Sequence, residues 1–139
     1  MITFVDTNVL LDVFLPDPIH GKNSTVALEK VFHNGSIIIK EIVYAELAPQ
    51  FENPKLLNDV LSKLGIKMAV ADTEIDVFAG ETWNNYRKSG GKRERIIADF
   101  LIGAHALLKA DRLLTRDRGF YKYYFKNLTI MNPQQNSTE

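Results

Sequence analysis

Four carboxylates stand at places where an acid is awkward: Asp6, Glu46, Asp99 and Asp117. Asp6 ends the β-leaning run Ile2-Thr3-Phe4-Val5 and is followed at once by Thr7 and Asn8. Glu46 interrupts Ile42-Val43-Tyr44-Ala45 and Leu47-Ala48, and Asp99 interrupts Ile96-Ile97-Ala98 and Phe100-Leu101-Ile102. Asp117 follows Leu113-Leu114-Thr115-Arg116. A carboxylate withdrawn from water needs a cation, a metal or a set of hydrogen-bond donors. If these four meet, with no basic residue of fixed position among them, they repel one another unless a divalent cation lies between them. Ligation by oxygen alone, without His or Cys, suits Mg²⁺ or Mn²⁺ and argues against zinc. Each acid also has an ordinary reading. Asp6 and Asp117 serve equally well as helix caps. Taken singly, Glu46 and Asp99 are more readily solvent-facing positions of amphipathic helices.

Whether the acids converge depends on the elements that carry them. Residues 2–5 read as a buried strand with Asp6 at its carboxyl end, and Thr7 or Asn8 caps the short helix 9–15 that Pro16 and Pro18 stop. Ser24 or Thr25 opens a second helix, which Asn34-Gly35 ends. Three consecutive isoleucines in 36–39 suit a strand covered on both faces. Helices follow over 41–48 and 54–64, then a third strand over 66–70. Asp72 or Thr73 caps a helix to about residue 88, and Gly90-Gly91 breaks it. The most apolar helix spans about 93–110. A short strand at 113–114, a helical turn after Asp117 and a fifth strand over 128–131 complete the pattern, leaving 132–139 as a polar tail. Strands alternating with helices predict a three-layer α/β/α fold around a mostly parallel sheet, as one domain over 1–131. Ligands of such sheets bind beyond the carboxyl ends of strands, where the first and fourth strands can flank the switch point.

The bulk numbers narrow the classes further. The chain has 139 residues, 45% of them hydrophobic and 24% charged, with 17 basic against 17 acidic residues. A nucleic-acid partner would therefore need locally concentrated positive charge. The absence of cysteine excludes a disulfide framework, a thiolate metal site and a cysteine nucleophile. Asp6 and Asp12 interrupt the amino-terminal apolar run, which is not the pattern of a signal peptide, and no stretch approaches a membrane span. A soluble, cytoplasmic protein without a membrane partner is the expectation.

Four stretches in order resemble the PIN-domain family: Val5-Asp6-Thr7-Asn8-Val9-Leu10-Leu11-Asp12, Glu46 after the second strand, Ile97-Ala98-Asp99-Phe100-Leu101-Ile102-Gly103-Ala104-His105-Ala106, and Leu114-Thr115-Arg116-Asp117-Arg118-Gly119-Phe120-Tyr121. The likeness covers nearly the whole chain and is greatest to small single-domain members of the VapC toxin type, the toxins of type II toxin–antitoxin systems. It implies a five-stranded parallel sheet in the order 3-2-1-4-5 and a Mg²⁺- or Mn²⁺-dependent endoribonuclease. Carried over, Asp6, Glu46, Asp99 and Asp117 form the acidic quartet. Thr115 is the hydroxyl that helps orient the site, and Asn8 is the polar position after the first acid. The resemblance also implies a homodimer and a small antitoxin partner that covers the acidic cleft with a cationic side chain. The chemistry would be metal-assisted phosphodiester hydrolysis. Asp6 and Asp99 would hold the main ion, with Asp117 and Glu46 completing its shell directly or through water. A PIN-type nuclease of RNA maturation or DNA repair is one alternative. A catalytically silent RNA-binding module is another, and the intact quartet speaks against it.

Contacts to RNA are sought in the basic run from Arg87 to Arg95, which includes Arg93 and Arg95, and in Arg116 and Arg118 beside the last acid. The run serves equally as a solvated loop, and the two arginines equally as partners of acids. Tyr121, Tyr123, Tyr124 and Phe125 could stack on bases, although helical spacing favours core packing for Phe120, Tyr124 and Phe125. Trp83 and Tyr86 suit the core more than a partner surface, and His105 suits burial in its apolar helix. Gly90-Gly91 lacks a phosphate-cradling pattern.

Overall fold

The computed structural model describes residues 1–90 and 96–134. Five strands, β1 (Ile2–Val5), β2 (Ser36–Ile39), β3 (Ile66–Met68), β4 (Arg112–Leu114) and β5 (Ile130–Met131), form one sheet in the order β3-β2-β1-β4-β5. Every pairing is parallel. Seven α-helices accompany them among the described residues: α1 (Thr7–Phe14), α2 (Gly21–Asn34), α3 (Glu41–Leu47), α4 (Pro54–Lys63), α5 (Thr73–Lys88), α6 (Ile97–Lys109) and α7 (Arg118–Tyr124). A 3₁₀ turn, Ala48–Gln50, extends α3 where Pro49 ends its regular hydrogen bonding. This is the three-layer α/β/α arrangement that the alternating pattern predicts.

The strands are short and central ones are buried on both faces. Phe4 and Val5 of β1, Ile37 and Ile39 of β2, and Leu113 and Leu114 of β4 are all buried. Burial of one such side chain is worth about 1.5–3 kcal/mol, so this layer anchors the fold. Helix α1 packs on α2 and α3, whereas α5 runs along α6, and α6 lies over β1 and β4. Between α5, α6 and α7 the rings of Tyr86, Phe100, Phe120, Tyr124 and Phe125 meet at centroid separations of 5.2–6.3 Å. Gly103 is required there, because a β-carbon at that position would meet the Phe125 ring. Gly35 ends α2 at φ +146°, with Met1 backbone where a side chain would go.

Several boundaries differ from the sequence expectation. Helix α2 begins at Gly21 rather than at Ser24 or Thr25, because the Asp17 carbonyl and carboxylate receive the Gly21 and His20 amides and start the turn early. Strand β3 stops at Met68, where the Ala69 amide still donates to the Ile39 carbonyl at 2.7 Å, and β5 contains only Ile130 and Met131. Helix α6 starts at Ile97; the stretch 91–95, where a helix start was expected, lies outside the described residues.

Candidate active site

The register of the sheet brings the first two site residues together. Val5 pairs with Leu114, so Asp6 and Thr115 leave adjacent strands side by side. The Asp6 amide donates to the Leu114 carbonyl at 2.9 Å. Thr115 Oγ1 then donates to Asp6 Oδ2 at 2.7 Å, and the Thr7 amide donates to Asp6 Oδ1 at 2.8 Å. Asn8 Nδ2 reaches the same Oδ2 at 3.4 Å. Asp6 itself is therefore the cap of α1, not Thr7 or Asn8. Its side chain is only 6% exposed. Burial pushes its pKa from 3.8 to about 6, against the hydrogen bonds from Thr115 and Thr7, and the charge of Asp99 adds to the rise.

The displaced cap residue has another task. Thr7 Oγ1 donates to Glu46 Oε1 at 2.7 Å, which ties the end of α3 to the start of α1. Glu46 remains exposed to solvent, as the ordinary reading of a helix acid had it, yet it is held at the site by this bond. Asp99 lies in the first turn of α6, where it accepts the Ile96 amide at 3.3 Å. A carboxylate there is favoured by the unpaired amides and dipole of the helix start. Asp117 occupies the cap position of α7 without a capping hydrogen bond from its side chain. Its amide donates to Thr115 Oγ1 at 2.9 Å, so one hydroxyl links two of the acids.

Tyr121, one turn into α7, shows that the three aspartates share one pocket. Its hydroxyl is buried, and burial raises its pKa well above the usual tyrosine value, with the charges of Asp6, Asp99 and Asp117 adding to the rise. The four acids are neighbours rather than a ready-made cage: among the described residues no three carboxylate or histidine side chains already form a set that could hold a metal ion. The donor chemistry nevertheless fits a hard cation. Asp6, Glu46, Asp99, Asp117 and Thr115 all offer oxygen donors, and among the described residues no ion pair reaches Asp6.

Arg116 is committed elsewhere. Its Nε donates to Asp12 Oδ2 at 2.7 Å and its Nη2 to Asp12 Oδ1 at 3.1 Å, while Ser24 Oγ donates to the same carboxylate at 2.7 Å. The Arg116 amide donates to Asn8 Oδ1 at 3.2 Å, so Asn8 bridges this loop to Asp6. Asp12 is the residue that sequence reasoning missed beside the site, and Tyr121, considered from the sequence for base stacking, is buried. The i, i+4 spacing of Asn8 and Asp12 on one helix face was a usable signal for the first. Arg118 is exposed at the start of α7, and Arg93 and Arg95 fall outside the described residues. Phe120, Tyr121 and Phe125 are buried, Tyr124 is half-buried, and Tyr123 is exposed, at 68%. Tyr86 and His105 are buried, whereas half-buried Trp83 carries the Arg87 guanidinium 4.3 Å above its ring.

Fold and site together define an α/β/α protein with an acidic pocket at the carboxyl ends of its two central parallel strands. The chain belongs to the PIN domain family, whose profile matches residues 3–126. It is similar in structure to VapBC-1 from nontypeable Haemophilus influenzae, with TM-score 0.71 and 23% identity over 97% of this chain and 100% of that one. VapBC2 from Rickettsia felis, bound to a DNA fragment from its promoter, gives TM-score 0.70 and 22% identity over 95% and 98% of the two chains. FitAcB from Neisseria gonorrhoeae gives 0.67 and 21% over 97% and 99%. At these identities the likeness is one of fold. No curated protein sequence matches the chain.

Proposed function

We propose that this protein is a divalent-metal-dependent endoribonuclease, the toxin of a toxin–antitoxin pair. The observation that carries the reading is the convergence of Asp6, Asp99 and Asp117 on one buried hydroxyl, beyond the ends of β1 and β4, in a chain of the PIN domain family. Asp6 and Asp99 would hold Mg²⁺ or Mn²⁺, with Asp117 and Glu46 completing the shell directly or through water. A bound ion of this kind supplies Lewis acidity toward a phosphoryl oxygen and makes a water more acidic for in-line attack on the phosphodiester. Thr115 fixes the Asp6 carboxylate through a 2.7 Å hydrogen bond and turns the Asp117 backbone toward the same point. Thr7 holds Glu46 at the rim. Asn8 couples Asp6 to the loop that carries Asp117.

Exposed Arg118, together with Arg93 and Arg95, is proposed to meet the phosphate backbone of RNA. Arg116, which the sequence places beside them, faces Asp12 instead and contributes by holding its loop. The similar structures include two-component VapBC complexes, which supports a small antitoxin as partner. A second copy of the chain and a cytoplasmic setting complete the proposal. No helix among the described residues is long and apolar enough to cross a membrane.

The test is direct. Purified protein is incubated with defined RNAs in Mg²⁺, Mn²⁺ or EDTA, beside the variants Asp6→Asn and Asp99→Asn. Cleavage should require the ion and fall by more than ~100-fold in either variant, since even an outer-shell partner of a metal is worth roughly 10–100-fold. Both variants should keep the wild-type far-ultraviolet spectrum. Undiminished, ion-dependent cleavage in both would refute the assignment.

A further inference from the structure

Among the described residues two aromatic side chains stand open to solvent, Phe32 at 46% and Tyr123 at 68% exposure. Phe32 is used by the fold: its ring lies over Gly65, where a β-carbon would meet it at 3.2 Å, and edge-on to His33. Half-buried Trp83 is covered by the Arg87 guanidinium. Tyr123 instead meets the ring of Tyr124, 4.7 Å between centroids and 73° between planes, and Tyr124 in turn rests on Tyr86 and Phe120. Most of the Tyr123 ring is left to water. Of the aromatic residues in and after α7 considered for stacking on bases, it is the one the core does not take up.

The rest of this face of α7 is built against helix stability. Gly119 lies one turn before Tyr123, on the same face. Glycine weakens a helix relative to alanine, and neither the backbone nor packing requires it here. Its φ is not positive, unlike those of Gly35, Gly65 and Gly90, and a β-carbon would meet nothing within 4 Å. Arg118 and Lys122 form the adjacent i, i+4 row, both exposed, and like charges at that spacing repel. Neither has an ion-pair partner among the described residues. From 118 to 126 the chain carries Arg118, Lys122 and Lys126 and no acid. Local choices that cost stability without a gain in packing are the mark of a functional surface. An open ring, an open strip of backbone and a row of cations together suit a flat apolar group carried between anions. An unpaired nucleotide has that chemistry, whereas a base within a duplex has both faces already stacked.

We infer that this face of α7 is a subsite for single-stranded RNA: an unpaired base stacks on Tyr123 in the open space over Gly119, while Arg118 and Lys122 meet the neighbouring phosphates. Helix α7 leads away from Asp117, and Tyr123 lies about 9 Å along it. The subsite thus grips the strand to one side of the acids and leaves them free. The inference rests on the ribonuclease reading and adds to it a requirement for an unpaired strand.

The experiment measures binding of a labelled single-stranded oligoribonucleotide, and of the same strand in a duplex, by fluorescence anisotropy in EDTA, with cleavage kinetics in Mn²⁺, thermal melting and gel filtration of each variant. Tyr123→Ala should bind the single strand at least ~10-fold more weakly, as for one lost stacking contact, whereas Tyr123→Phe stays within ~2-fold. In cleavage the same loss should appear in KM, with kcat within ~2-fold. Gly119→Leu should also lose about 10-fold in affinity while its melting temperature holds or rises, because leucine fills open space and is the better helix former. Replacing Arg118 and Lys122 together by Gln should flatten the slope of log affinity against log salt by about 1.4. Unchanged single-strand affinity and KM in Tyr123→Ala overturn the inference and leave the ribonuclease reading standing. Equal losses on duplex and single strand also overturn it, since a paired base cannot reach the ring. So does a Tyr123→Ala protein that changes its elution volume but keeps its RNA affinity, which assigns the ring to a contact between copies. If wild type neither binds nor cleaves RNA, the ribonuclease reading fails first and this inference with it.

Discussion

The carboxyl of Asp6 is held against its own preference. Its pKa, raised to about 6 by burial, means that the folded protein binds a proton there more tightly than the unfolded chain, whose value is near 3.8. Protonation of Asp6 therefore stabilises the fold fully below about pH 4, and that contribution is lost as pH rises through 6. The shift corresponds to about 3 kcal/mol between the two limits. Metal-free wild type should thus lose more stability between pH 5 and pH 7.5 than Asp6→Asn, which has no proton to release. Mn²⁺ should raise the wild-type melting temperature more at pH 7.5 than at pH 5, since ion and proton compete for one carboxylate. Parallel melting curves for the two proteins across this range would remove the basis for both expectations. At this scale the sequence was informative about type: an acid directly after a strand marks Asp6 and Asp117. It offered Tyr121 for base stacking, whereas the way one turn of helix faces buries that ring.

Among the elements, the contact that matters most to the site joins α1, α2 and the loop between β4 and α7. Asp12 is buried, and it is neutralised by the two-pronged contact from Arg116 and by the Ser24 hydroxyl. Arg116→Ala would leave that carboxylate buried with Ser24 alone and should cost about 2–4 kcal/mol in urea unfolding. Arg116→Lys keeps the charge but not the planar fork, and should recover only part of the loss. A cost below about 0.5 kcal/mol for Arg116→Ala would place this pair with ordinary surface ion pairs. The same loop carries Thr115 and Asp117, so loosening it should also reduce Mn²⁺ affinity. Of the two uses weighed for Arg116 from the sequence, gripping phosphate or pairing with an acid, this geometry shows the pairing. The partner is Asp12, an acid 104 positions away to which nothing in the sequence around Arg116 points.

Across the whole molecule, residues 6, 99 and 117 come to the same end of the sheet because parallel pairing sets β1 beside β4 and α6 packs on both. Closure of the helical layer over this end depends on Gly103, where Phe125 fills the space of a side chain. Gly103→Ala should destabilise the protein by about 1–3 kcal/mol, the usual cost of overpacking, even though alanine is the better helix former. A stabilised variant in thermal melting would show that the ring can simply move aside. The strand and helix alternation and the buried isoleucine strand were legible in the chain, because hydrophobic periodicity and parallel crossovers admit few arrangements; the 3-2-1-4-5 order came only with the family resemblance. The four acids proposed to carry the chemistry were also visible, as charges set in apolar surroundings. How deeply each is withdrawn from water was not. Asp6 is buried, Asp99 and Asp117 are half-buried, and Glu46 is open to solvent behind a threonine hydroxyl. Residue order determines which groups can be neighbours; only the packed chain decides desolvation and hydrogen-bond partners, because both depend on atoms contributed from distant parts of the sequence.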